Sequence, residues 1–109
     1  MDEVTLSERI RRLVSAANVR VSDHGYDELA TDGLTVRECV ESIDSALVVE
    51  EYPVYPKGPC VLFLQTDARG MPIHVLWGIP KGAHSPAVLV TAYRPDAQRW
   101  EPDYRRRRR

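Results

Sequence analysis

The chain has 109 residues, 43% hydrophobic and 28% charged, the balance of a soluble globular protein of one domain with a single two-layer core. No apolar run approaches the roughly 20 residues of a membrane span. The formal net charge is −1, but Arg105–Arg109 supply five of the fifteen Lys and Arg; the remaining ten face sixteen Asp and Glu, so residues 1–104 carry −6. A body of that charge argues against a general nucleic-acid binder, which carries a basic face.

In chain order, the acidic start Met1-Asp2-Glu3-Val4 runs straight into a helical pattern. No signal peptide is expected, and a cytoplasmic protein is. Thr5-Leu6-Ser7-Glu8 reads as a capping box. Leu6, Ile10, Leu13, Val14 and Ala17 then form one apolar stripe, with Glu8, Arg11 and Arg12 outside it. Val19-Arg20-Val21 reads as a short extended piece. Ser22 or Asp23 caps a second helix through about Ala30, closed by Asp32-Gly33. Thr35-Val36-Arg37-Glu38 is a second capping box, and Val36, Cys39, Val40 and Ile43 mark the buried face of a third helix.

From Leu47 the period changes to that of strands. Leu47–Tyr52 leads into the proline-rich loop Pro53–Pro59. Cys60–Gln65 is nearly continuous in apolar residues, which predicts a strand covered on both faces. Asp67-Ala68-Arg69-Gly70 is a tight hairpin turn. Ile73, Val75, Trp77 and Ile79 alternate with His74, Leu76 and Gly78, and Ala87–Arg94 is the last strand. Helices first and hairpin-linked strands after predict an α+β domain, with N-terminal helices packed on an antiparallel β-meander. Cys39 and Cys60 read as two buried free thiols of a reducing compartment.

The candidate polar site lies in the C-terminal third. Alternation puts His74 on the face opposite Ile73, Val75 and Trp77, and hence on the more open face of the sheet, where an imidazole either transfers protons or bonds a neighbouring strand. Tyr93 and Arg94 point to opposite faces, so only one of them joins His74 unless the strand ends or bulges at Pro95. Arg94 is either an anion-binding fork or one half of a salt bridge to Asp96 or Glu101. Arg99 and Trp100 either stack on each other or cover the sheet edge, with packing the better role for Trp100. His24 sits in the first turn of a helix, which suits either an anion site or an ordinary cap contact. The Arg105–Arg109 run is either a flexible arm for phosphates or a disordered, solvated end.

No C-x-x-C or H-x-x-x-H, no phosphate-binding glycine loop and no nucleophile elbow is present, so neither a metal nor a cofactor is expected. No helix combines a recognition pattern with basic residues, which makes a DNA-binding regulator the weakest reading.

Ser22-Asp23-His24, Asp32-Gly33-Leu34-Thr35, Val48-Val49-Glu50-Glu51-Tyr52-Pro53, Ile73-His74-Val75 and Thr91-Ala92-Tyr93-Arg94-Pro95, in this order and spacing, resemble the small DUF4258 domain family over about residues 20–104. That family is similar to the RelE/ParE-like (MqsR-type) toxins of bacterial type II toxin–antitoxin modules. The resemblance implies a messenger-RNA endoribonuclease that works without a metal, and an antitoxin partner of the zinc-finger (MqsA-like) kind. It would assign proton transfer to His74, Tyr93 or His24, charge stabilisation to Arg94 or Lys57, and RNA contacts to Lys57, Lys81, Arg99 and Arg105. The negative body departs from the basic character of ribosome-acting members. The alternative it leaves is a non-catalytic module of the same fold that inhibits a protein target or binds an antitoxin-like partner.

Overall fold

The computed structural model describes residues 4–109, so the acidic start at Met1–Glu3 lies outside the described residues. Helix α1 spans Leu6–Ser15 and is capped by the Thr5 hydroxyl, which accepts from the Glu8 amide. It buries Ile10 and Val14. The helix stops two residues before Ala17, the last member of the expected stripe, which turns the chain with φ 58° and is exposed. Strand β1 (Val19–Val21) follows, then α2 (Asp23–Thr31), α3 (Val36–Glu41) with its complete Thr35–Glu38 capping box, and a single 3-10 turn at Ile43–Ser45. Strands β2 (Leu47–Tyr52), β3 (Cys60–Thr66), β4 (Pro72–Gly78) and β5 (Ala87–Tyr93) complete the chain's regular elements.

The five strands form one sheet in the order β1-β5-β4-β3-β2. Strands β2 to β5 are the expected antiparallel meander. The expectation of a purely antiparallel sheet is corrected at β1, which inserts between α1 and α2 and pairs parallel with β5, Val19 opposite Ala87 and Val21 opposite Leu89. The sheet is therefore mixed, and its helices are interleaved with a strand rather than placed ahead of them all. Three residues of β-branched character are too short a signal to fix a partner or a direction.

Helix α2 is locked to β5 by its own cap. The Ser22 hydroxyl accepts from the Gly25 amide at 2.9 Å and donates to the Val90 carbonyl at 3.1 Å. A β-carbon on Gly25 would stand 2.6 Å from the Leu89 carbonyl oxygen, so this approach of helix to strand requires glycine. Arg11, off the stripe of α1, reaches across to the Ile43 and Ala46 carbonyls and lies 5.2 Å over the Phe63 ring. That guanidinium ties the 3-10 turn to α1 and to β3.

The helices cover one face of the sheet, burying Val61, Phe63, Ile73, Val75, Trp77, Leu89 and Ala92 against Ile10, Val14, Leu29, Leu34, Cys39 and Ile43. One polar side chain bridges this core. Gln65 donates to the Cys39 carbonyl at 2.6 Å and to the Ser42 hydroxyl at 2.8 Å, and accepts from the Trp77 indole N–H at 2.9 Å. Cys39 and Cys60 are both free and buried, as expected, and burial pushes the Cys39 thiol up to about 12. No helix of the described residues is long and apolar enough to cross a membrane.

Replacing Gln65 by Leu strands the Trp77 N–H and the Cys39 carbonyl in an apolar core. The expected cost is about 2–4 kcal/mol, read as a lowered urea midpoint with an unchanged m-value. The same measurement on Arg37→Ala, at an exposed ion pair on α3, leaves the midpoint in place.

Candidate functional site

The strand register builds the site on the face away from the helices. Leu64, His74 and Tyr93 stand abreast on β3, β4 and β5, with Leu62, Leu76 and Thr91 in the next row and Cys60, Gly78 and Val88 in a third. This face is not open at His74. The chain after Pro95 doubles back over it as a small lobe, held by an antiparallel bridge between Trp100 and Arg107 and by Glu101 N–H to Arg106 and Arg108 N–H to Arg99 carbonyl bonds, each 2.8 Å. The expectation of an accessible His74 is thus corrected: the imidazole is fully buried.

Burial fixes the imidazole's tautomer. Its Nε2 lies 2.7 Å from the Tyr104 carbonyl, which can only accept, so Nε2 carries the proton. Nδ1 is then the lone pair that accepts from the Tyr93 hydroxyl at 3.1 Å. Tyr104 presents that carbonyl from a left-handed backbone, φ 55°, a conformation that costs a residue with a β-carbon roughly 1–2 kcal/mol. Trp100 stands edge-on to the imidazole at 4.5 Å, and the Arg107 guanidinium lies 4.8 Å over the Trp100 ring. Desolvation lowers the His74 pKa and raises that of Tyr93, so at neutral pH the pair is uncharged.

Beside it lies a second, charged cluster. Arg107 approaches one carboxylate oxygen of Glu50 with Nη2 at 2.9 Å and Nε at 3.0 Å. Tyr52 donates its hydroxyl to the other oxygen of Glu50. The Arg107 and Tyr52 bonds hold Glu50 below its ordinary value, while burial and the Glu50 bond push Tyr52 up to about 12. Glu50 and Tyr52 come from alternate positions of β2, a spacing visible in the sequence. Nothing in a run of five identical residues distinguishes Arg107 from its neighbours, and the sequence reading missed it.

Three cavities open on this side. One of about 610 Å³ is lined by Tyr93, Arg94, Arg99, Arg107, Arg108 and Arg109, among others. A smaller one of about 250 Å³ lies among Tyr52, Tyr55, Leu62, Leu76, Tyr93 and Arg107. A third of about 530 Å³ has Arg20, His24, Tyr55 and Lys57 at its rim and Cys60 and Gly78 in its lining. Tyr93 and Arg107 belong to the first two, and Tyr55 to the last two, so the cavities adjoin in series.

The candidates named from the sequence divide accordingly. Tyr93 joins His74. Arg94 does not: its guanidinium is 2.7 Å from Asp67, its amide bonds the Asp32 carboxylate, and the Arg94 bond, with the Met71 and Arg69 amides, lowers the Asp67 pKa. The salt-bridge reading of Arg94 therefore holds, with Asp67 in place of Asp96 or Glu101. His24 lies at the far cavity with Lys57, away from His74, and 3.5 Å from Glu28. Arg99 lines the arginine cleft. Lys81 stands on an exposed turn whose amide bonds the Lys57 carbonyl. Arg105 caps the Val48 carbonyl at 3.0 Å, so the run expected to be free is folded onto β2. Among the described residues no three His, Cys, Asp or Glu side chains converge where a metal ion could be held.

A mixed-sheet α+β domain whose second face is closed over a His–Tyr pair by its own C-terminal lobe defines the structural class. The chain matches DUF4258, a domain of unknown function, over residues 21–94 and belongs to that family. No curated protein and no solved structure matches it significantly.

Because folding lowers the His74 pKa from its ordinary 6.5, the unfolded chain takes up a proton there before the folded one does. The stabilising effect of a neutral His74 is full above about pH 6.5 and shrinks as pH falls toward the folded value. Urea titrations at about pH 7.5 and 5.5 should show a drop in stability that His74→Gln, which keeps a donor and an acceptor, reduces.

Proposed function

We propose that this chain is the toxin-like component of a bacterial toxin–antitoxin module and cleaves single-stranded RNA without a metal ion. The observation that carries the reading is the Tyr93 hydroxyl, held on a tautomer-fixed imidazole at the junction between an arginine-lined cleft and a tyrosine-lined one. The folded tail also supports this reading by adding local positive charge, since Arg99 and Arg109, together with Arg107 and Arg108 that pair with Glu50 and Glu101, line the cleft beside that hydroxyl. The resemblance to RelE/ParE-like toxins adds the substrate class.

In this mechanism the ribose 2′-oxygen attacks the adjacent phosphorus as its proton passes to Tyr93 and the Tyr93 proton passes to Nδ1 of His74. The bond from phosphorus to the 5′-oxygen breaks, giving a 2′,3′-cyclic phosphate. Water protonates the departing oxygen, and the hydroxide so formed takes the imidazolium's proton back through Tyr93. The Tyr104 carbonyl on Nε2 supports the transient imidazolium, whereas the favourable field of Glu50 is outweighed by that of Arg107. Arg107 and its cleft neighbours oppose charge on the phosphorane. His74 touches no substrate and acts through Tyr93, whereas Tyr93 is the catalytic residue.

One observation favours a second reading. Both His74 nitrogens and the Glu50–Arg107 charges are already satisfied within the fold, as they would be in a non-catalytic module that inhibits a protein target or binds an antitoxin-like partner.

The test is cleavage of a single-stranded messenger-RNA fragment, with and without ribosomes and with chelator present. Wild-type protein should leave 2′,3′-cyclic ends, and folded Tyr93→Phe should cut at least about a hundredfold more slowly. Uncut RNA under all conditions would reject the nuclease in favour of the protein-binding module, and full activity in Tyr93→Phe would reject Tyr93 as the catalytic residue.

A further inference from the structure

The cavity farthest from Tyr93 has a different composition from the arginine cleft. Its floor is apolar, with Cys60, Gly78, Val88 and Val90, while Ser22, Asp23 and His24 line one side and two cations, Arg20 and Lys57, stand at its rim. Neither cation has an acidic side chain within ion-pair distance among the described residues; in the cleft Arg94, Arg107 and Arg108 each do, and Arg99 and Arg109 do not. Asp23 is the one carboxylate in the lining, and His24 is turned toward Glu28.

The rim is set by backbone. Gly58, at φ 130°, brings the proline-rich loop so close to β4's exit that a β-carbon there would fall 2.0 Å from the Ile79 carbonyl oxygen. The Ile79 amide bonds the Pro59 carbonyl and the Lys81 amide the Lys57 carbonyl, each at 3.0 Å. Tyr55 and Lys57 are thus carried on an anchored loop, with the Tyr55 ring partly exposed between this cavity and the central one.

From these features we infer that the far cavity is a second nucleotide subsite of the same trough, holding a base of single-stranded RNA against Tyr55 and the adjoining phosphate against Lys57 and Arg20. The inference rests on the RNA-cleaving reading and extends it along the strand. From the Gly78–Val88 row to the His74–Tyr93 row the floor runs about 13 Å along β4, so one chain entering at the arginine cleft crosses Tyr93 before it reaches Tyr55. An apolar floor, a ring face and unpaired cations are what an unstacked base and its phosphate require.

The experiment measures binding of 2′-O-methyl oligonucleotides, which cannot be cleaved because the attacking oxygen is blocked, by fluorescence anisotropy. A hexanucleotide should bind more tightly than a dinucleotide. Tyr55→Ala should remove about tenfold of the hexanucleotide's affinity and Lys57→Gln should flatten its salt dependence, while both leave the dinucleotide unchanged. Arg99→Gln, in the cleft, should weaken both lengths. Tyr55, Lys57 and Arg99 are exposed, so these variants keep the fold. If the wild type cleaves RNA but the hexanucleotide's advantage survives in both Tyr55→Ala and Lys57→Gln, the subsite is wrong and the nuclease stands. If the wild type binds neither length and cleaves no RNA, both fall together.

Discussion

Three short helices can cover only one face of a five-stranded sheet, and β3 is apolar on both. Val61, Phe63 and Gln65 go to the helices, which leaves Cys60, Leu62 and Leu64 to be kept from water by other means. The chain meets this requirement with irregular segments: the proline-rich loop at one end and the lobe after Pro95 at the other. Placing a histidine under that lobe makes the covering specific, because an imidazole buried with an unbonded nitrogen is costly. Tyr93 satisfies one nitrogen from the sheet and Tyr104 the other from the lobe, so the same pair of bonds closes the face and orients the Tyr93 hydroxyl.

Much of this was legible in the amino-acid order. The Thr35–Glu38 capping box, the Thr5 cap without its reciprocal Glu8 bond, a cap at Ser22 or Asp23, the meander and its Asp67–Gly70 turn follow from short-range chemistry, and the double-sided burial of β3 from an unbroken apolar run. What escaped depends on contacts between distant residues. The parallel pairing of β1 needs a partner some 68 positions away, and three residues cannot announce it. Arg11 lies off the apolar stripe of α1, which on pattern alone reads as solvated, yet its guanidinium finds the Ile43 and Ala46 carbonyls at the two ends of the 3-10 turn.

The site was legible in kind more than in geometry. Alternation separates Tyr93 from Arg94 and offers one of them to His74, and the register, Tyr93 opposite His74, selects the phenol. That the face is roofed depends on a lobe with no regular strand or helix, held by two turns and a single bridge, for which no periodicity exists. The tail misled for a related reason. Five consecutive arginines read as solvated charge, but their flat guanidinium groups pair with Glu50, bond the Val48 carbonyl and stack on Trp100, uses that a lysine's ammonium serves poorly.

The Arg105 contact has a consequence for association. Strand β2 is one of the two edges of the sheet, with backbone groups that another chain could pair with. Arg105 occupies the carbonyl of Val48 on that strand, beside the irregularity between Val48 and Glu50. A chain that pairs with β2 at this point would compete with Arg105 for that carbonyl. Two residues further on the same segment carries Arg107, and behind it come the Tyr104 carbonyl and the Trp100 ring. The contact at the sheet edge and the groups that close over the buried histidine thus lie within one short segment of chain.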